Sequence, residues 1–303
     1  MNTPPPVACS AIRKSYPGGI AALNGVSFEL AAGEIFGIAG PDGAGKSTLF
    51  RIAATLLLPD AGSVSVMGFD TVRDFRRIRS LLGYMPGRFS LYGDLTVEEN
   101  LRFFATLFGS TVEKNYSLVK DIYSHIEPFR KRRASALSGG MKQKLALSCA
   151  LIHKPEVLLL DEPTTGVDPV SRKEFWEMLK RLQQQGITIL VSTPYMDEAA
   201  LCDRIALIAD GAFMRIDTPA GLIASCDETL LAVKGDNMPQ LLKLLRAHPA
   251  VKSSFAFGDA HHVAVERNCT AAALQASLPA EGNIAVEPVK PSIEDCYMFY
   301  SRR

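Results

Sequence analysis

The stretch EIFGIAGPDGAGKST, residues 34–48, decides how the rest of the chain is read. Its first half is short, apolar and suited to a buried strand, and its second half is a glycine-rich run closed by a lysine and two hydroxyls. Gly40, Pro41, Asp42, Gly43, Ala44, Gly45, Lys46 and Ser47 fill the pattern G-x-x-x-x-G-K-[ST], with Thr48 next. Glycines let the backbone wrap closely round an anion with several N–H groups turned inward. The helix expected from Lys46 to about Leu57 adds the positive end of its dipole. Lys46 then supplies a point charge for β- and γ-phosphates, and the Ser47 hydroxyl suits Mg²⁺.

Moving outward, VLLLDEP at 157–163 reads as a second buried strand that ends in Asp161 and Glu162. Asp161 can hold a Mg²⁺ shell, and Glu162 is placed to orient or deprotonate an attacking water. LSGGMKQK at 137–144 opens a helix with Ser138, Gly139 and Gly140, a further anion-binding arrangement. A single nucleotide has no use for two triphosphate cradles from one chain. Two chains facing head to tail do, each closing its serine and glycines over the nucleotide held by the other.

Around these motifs the pattern alternates. Residues 7–35 alternate polar and apolar, as in a small antiparallel sheet. Thr96 and Glu99 have capping-box spacing, followed by Leu101, Phe104, Ala105 and Phe108 on one helical face. Ser171 and Glu174 have the same spacing, ahead of a stripe of Phe175, Leu179 and Leu182 that ends at Gly186. Strands alternating with helices predict an α/β fold with a mainly parallel sheet. After about Ala220 the texture changes to the order βαββαβ over residues 229–290, that of a ferredoxin-like unit, with Ser292 and Asp295 capping a last helix. The expected domains are 5–220, including a helical subdomain at 88–150, and a small accessory domain at 221–303.

The motifs GPDGAGKST, LSGGMKQK, VLLLDEP and GVDP (166–169), in that order, resemble the nucleotide-binding subunit of ATP-binding cassette (ABC) transporters. The resemblance covers about residues 5–220. It implies a P-loop ATPase of the ABC type with ATP and Mg²⁺ as cofactors, Tyr16 stacked on adenine and Asp168 at a dimer seam. It also implies that the helical subdomain, with the aromatic loop RFSLYGDL (88–95), meets a transmembrane permease. The single cassette and appended small domain are most similar to drug- and polysaccharide-type exporters whose permease is a separate chain. On this reading the protein works peripherally at the cytoplasmic face of a membrane. Met141 stands where that family usually has glutamine.

Two departures bear on catalysis. Gly87 occupies the family's glutamine position beside Mg²⁺ and the attacking water, and Pro194, in ILVSTPYMDEA (189–199), occupies its γ-phosphate histidine. Proline offers neither a side-chain donor nor a backbone N–H. Arg88 directly follows the first vacancy and Tyr195 the second. A guanidinium can fork onto two phosphate oxygens, which makes Arg88 a candidate compensating group, the alternative being a solvated or permease-facing arginine. The other account is a cassette that binds ATP and hydrolyses it slowly, paired with a fully equipped partner rather than in a homodimer. A soluble ABC protein acting on ribosomes or DNA, or a nucleotide-sensing regulator, are the remaining alternatives.

Composition narrows these. Lys and Arg total 33 against 32 Asp and Glu, without the basic excess expected of a nucleic-acid binder. The six cysteines are scattered and read as reduced, packed thiols of a cytoplasmic protein. His261 and His262 are adjacent on an expected strand and point to opposite faces, which argues against a shared metal.

Overall fold

The computed structural model describes residues 4–226, 228–279 and 282–302. The chain divides after Pro219 into two compact units.

In the larger unit β1 (Val7–Tyr16) and β2 (Ile20–Glu29) pair as an antiparallel hairpin. Next comes β3 (Ile35–Ala39), every residue of which is buried, leading through the glycine loop into α1 (Lys46–Ala53). The helix stops four residues short of the sequence expectation because Thr55 takes a left-handed conformation at φ 62. Strands β4 (Ala61–Val66) and β5 (Phe69–Asp70) return to the hairpin, giving the order β2-β1-β4-β5. Helix α2 (Phe75–Leu81) and strand β6 (Leu82–Met85) precede the helical insert, formed by α3 (Val97–Leu107), α4 (Val112–Tyr123) and α5 (Gly139–Leu151). The expected capping box is present at Thr96 and Glu99. Fully buried Asn100 ties the preceding loop down by donating to the carbonyls of Tyr92 (3.0 Å) and Thr96 (2.9 Å).

The second half supplies β7 (Val157–Asp161), α6 (Pro169–Gln184), β8 (Thr188–Thr193), the one-turn α7 (Met196–Ala199), β9 (Arg204–Ala209) and β10 (Ala212–Asp217). At α6 the cap differs from the expected Ser171–Glu174 box. Asp168 is the N-cap, accepting from the Ser171 backbone N–H at 3.0 Å, and Pro169 fits the first turn, where no backbone donor is required. The main sheet runs β10-β9-β3-β8-β7-β6, parallel except for β10. Register aligns Ile38 with Ser192 and Ser192 with Asp161, so three strands end side by side. Crevices beyond the carboxyl ends of such strands are where open α/β sheets bind ligands. One apolar core joins both sheets through Phe28 stacked on Phe36 and through Leu49, Phe50 and Ile52 of α1.

The smaller unit opens with α8 (Pro219–Ala224) and continues as β11 (Thr229–Lys234), α9 (Met238–Ala247), β12 (Val251–Phe257), β13 (Ala260–Val265), α10 (Ala271–Ser277), β14 (Ala285–Pro288) and α11 (Ile293–Tyr300). Its antiparallel sheet has the order β12-β13-β11-β14, the ferredoxin-like arrangement. Every residue of β13 is buried, so both faces are covered. His261 Nε2 donates to the Met238 carbonyl (2.7 Å), while His262 pairs with Asp295 of α11 at 2.8 Å, on the opposite face. The Ser292–Asp295 box caps α11.

Leu245 is fully buried in the core of this unit. Leu245→Ala is expected to cost about 2–5 kcal/mol there. Denaturant unfolding of the full chain should show the loss in the transition assigned to this unit by hydrogen exchange of β11 and β13, with β3 and β7 protection unchanged.

Candidate functional site

The glycine loop is shaped by close backbone approach. Gly45 sits at φ 101, and a Cβ there would come within 2.2 Å of the Ala22 carbonyl; at Gly40 it would meet the Ile208 carbonyl at 2.3 Å. The first turn of α1 has neither a side-chain cap nor an acidic residue, which leaves its N–H groups open to an anion. Pro41, Asp42 and Gly43 form the exposed lip, with Ala44 buried behind them. Lys46 is 3% exposed, and its ammonium donates to the carbonyls of Gly40 (2.7 Å) and Pro41 (2.8 Å). It also pairs with Glu162 Oε1 at 3.0 Å. Tyr16, half-buried at the end of β1, places its hydroxyl 3.3 Å from Thr48 Oγ1.

The acidic side is built on strand ends. Ser192 Oγ donates to Asp161 Oδ1 at 2.8 Å and accepts from the Glu162 N–H at 2.9 Å. Burial pushes the Asp161 carboxyl above its ordinary range, opposed by hydrogen bonds from Ser192 and Ser47. A buried carboxylate touching a serine hydroxyl at the mouth of an anion loop has the donor chemistry of a Mg²⁺ site, because a divalent cation relieves the desolvation. Glu162 adopts φ 49, a strained setting for a non-glycine residue. Thr165 Oγ1 donates to its Oε2 at 3.4 Å. Tyr84, beside Asp161, has its phenol pushed up to about 12 by burial first and by the Asp161 charge second.

The two vacant positions fall on this site. A Cβ at Gly87 would lie 3.1 Å from the Asp161 carbonyl and 3.7 Å from its carboxylate. Thr193, just before Pro194, has its carbonyl 3.4 Å from the Gly40 N–H. The neighbouring side chains do not turn toward the phosphate loop. Tyr195 lies under the Arg172 guanidinium at 4.0 Å. Arg88 is exposed on the wall of a cleft of about 490 Å³, with Leu82, Met85, Phe89, Phe104 and Phe108.

Ser138 caps α5, accepting from the Met141 N–H at 3.4 Å. Gly140 is required by packing, since a Cβ would strike Ser171 Oγ at 2.7 Å. Gly139 lies against the Gly166 carbonyl, and Lys144 pairs with Glu174 at 2.7 Å. The signature segment thus abuts the loop that ends in Asp168, whose carboxyl the Ser171 N–H holds below its ordinary range. Among the described residues no hydrogen bond joins 138–140 to 40–48 of the same chain. Ser192, Thr193 and Glu198 were not singled out from sequence, although hydroxyls closing a buried strand are a usable signal.

A family model described as "ABC transporter" matches residues 23–165. The chain is 43% identical over 219 residues to the probable multidrug ABC transporter ATP-binding protein YbhF of Escherichia coli (strain K12), covering 71% of this chain but only 38% of that relative's length. It is 37% identical over 245 residues to the Nod factor export ATP-binding protein I of Rhizobium sp. (strain N33), covering 79% of this chain and 80% of that one. Among solved structures, a dimeric ATP-binding cassette in a post-hydrolysis state with ADP and Pi superposes with a TM-score of 0.65 at 28% identity, covering 70% of this chain and 98% of the other.

Because the folded state raises the Asp161 pKa, the folded chain holds this proton to higher pH than the unfolded chain. Stability is therefore lost as pH rises from the unfolded value through the folded one. Asp161→Asn is expected to raise the melting temperature of the nucleotide-free chain at neutral pH and to remove the further stabilisation given by Mg-ATP. Thermal melts with and without Mg-ATP check both effects.

Proposed function

From a chain that belongs to the ABC transporter family of ATP-binding proteins, we propose an ATP-hydrolysing subunit that closes as a dimer and energises a separate membrane permease for export. The observation that carries this reading is the convergence of Lys46, Ser47, Asp161 and Glu162 on one loop, two of them in direct contact at 3.0 Å. The loop glycines and the open first turn of α1 hold the phosphates, Lys46 neutralises the outer ones, and Tyr16 takes the adenine. Ser47 and Asp161 would hold Mg²⁺, which when bound neutralises phosphate charge. An incoming phosphate competes with Glu162 for the Lys46 ammonium and frees the carboxylate. Glu162 then accepts a proton from the water that attacks the terminal phosphate. Ser138, Gly139 and Gly140 of a second cassette complete the cradle, with Asp168 at the seam.

Two features support coupling to a membrane partner. The cleft beside Arg88 is apolar, and Phe89 and Leu107 on its wall are exposed, which suits an apolar partner surface. The relatives named above are a multidrug transporter's ATP-binding protein and a Nod factor export ATP-binding protein. Among the described residues no helix is long and apolar enough to cross a membrane. The chain would sit peripherally on its permease, and export of a particular compound is a property of that partner. Arg88, on the cleft wall, serves this contact better than it serves the γ-phosphate.

With Gly87 and Pro194 in place, two donors toward the developing charge are absent, and each such donor is worth about 10²–10³ in rate. Turnover is expected to be slow and to rise faster than linearly with protein concentration. Glu162→Gln should lower it by about 10²–10⁴-fold while leaving ATP bound. Pro194→His should raise it, by up to about 10²-fold. Mg-ATP hydrolysis over a concentration series, with and without permease-containing membranes, tests the reading. ATP binding with no turnover in either setting overturns the assignment of hydrolysis.

A further inference from the structure

Glu198 is 3% exposed, and its carboxylate is fully engaged by three elements. Oε2 accepts from Thr164 Oγ1 (2.8 Å), two residues past Glu162, and from Thr193 Oγ1 (2.7 Å), just before Pro194. Oε1 accepts from Arg172 Nε at 2.8 Å, on the first turn of α6, the helix that Asp168 caps. Arg172 is held in turn by Asp197 at 3.1 Å and by the Tyr195 ring at 4.0 Å. The Tyr195 N–H donates to Thr193 Oγ1 at 3.0 Å, so one threonine hydroxyl closes the turn around Pro194 and also reports to Glu198. A buried carboxylate with charge-assisted bonds on both oxygens is a rigid node.

We propose that Glu198 is a positioning residue that locks the turn at 193–195, the Glu162 loop and the start of α6 into one body, so that nucleotide at the phosphate loop is felt at the dimer seam. The inference rests on the nucleotide-binding reading above. In many cassettes a histidine at position 194 would join the turn to the nucleotide itself, as the family resemblance implies. Here the turn is fixed from behind, through Glu198 and Arg172, and among the described residues its only backbone hydrogen bond with the phosphate loop runs from the Gly40 N–H to the Thr193 carbonyl (3.4 Å).

The chain carries its own reporter. Trp176 is the single tryptophan, is 3% exposed, and stands one helical turn after Arg172 on α6. Glu198→Met keeps the side chain's length and can accept neither from the threonines nor from Arg172, whereas a glutamine with its NH₂ toward the two hydroxyls and its oxygen toward Arg172 would keep all three contacts. Arg172→Met cuts the same link from the other side and leaves Glu198 its threonines.

The experiment is Trp176 emission of the full chain on adding Mg-ATP, with bound nucleotide measured separately by equilibrium dialysis and folding checked by a cooperative melt. The wild-type chain is expected to change its emission on binding. Glu198→Met and Arg172→Met are each expected to bind ATP with unchanged affinity, to lose the emission change, and to lose about 10²-fold in turnover at unchanged KM. The double variant should be no worse than Glu198→Met alone, because the Arg172 bond is already lost in that single. If Glu198→Met fails to fold, Arg172→Met decides. Retention of the emission change in a folded variant, or wild-type binding without any change, overturns the proposal. A wild-type chain that binds no nucleotide overturns the function beneath it instead.

Discussion

A lysine ammonium buried to 3% exposure cannot be left without partners, and the geometry of the phosphate site follows from that requirement. Two carbonyls from residues 40 and 41 and one carboxylate from residue 162 satisfy it. The carbonyls demand a loop folded back on its own helix, which in turn demands glycine where Ala22 and Ile208 come within van der Waals distance. The carboxylate demands that β7 end level with β3, and Ser192 on the strand between them sets that level by bonding to both Asp161 and Glu162. The strained φ of Glu162 is the local cost of aiming its side chain at the lysine rather than along the strand.

What local chemistry dictates was legible in the sequence. The phosphate loop, the acidic pair and the signature serine are each contained in fewer than ten residues, and so is the capping box at Thr96. The ferredoxin-like order was legible because six short periodic segments determine it. What failed involved competition or distance. Asp168 and Ser171 both have N-cap chemistry, and proline at 169 tips the choice because it fits the first turn after Asp168. The Glu198 node joins residues 26 and 34 positions apart, with no periodicity to announce it. The direction of Arg88, which the sequence leaves open between the phosphate and a solvated or permease-facing position, depends on the wall of a cleft assembled from the helical insert and β6.

The cleft and the phosphate loop are served by the same short run, 85–89. Met85 and Phe89 line the apolar cleft, while Gly87 between them faces the Asp161 carboxylate. A displacement imposed on the cleft would therefore be delivered to the acidic side of the site over two residues of backbone.

The central strand has a consequence for how the molecule is made. β3 is complete once Ala39 is synthesised, yet it hydrogen-bonds on one side to Ile189–Thr193 and on the other to Arg204–Leu207. During synthesis both of its edges wait for segments about 150 residues away, and non-local pairings of this kind form late. The antiparallel hairpin can fold early, but a nascent chain has no supported phosphate loop until β9 has left the ribosome. The smaller unit, whose core is drawn wholly from residues after 220, emerges after β9, so ordering of the nucleotide site need not wait for it.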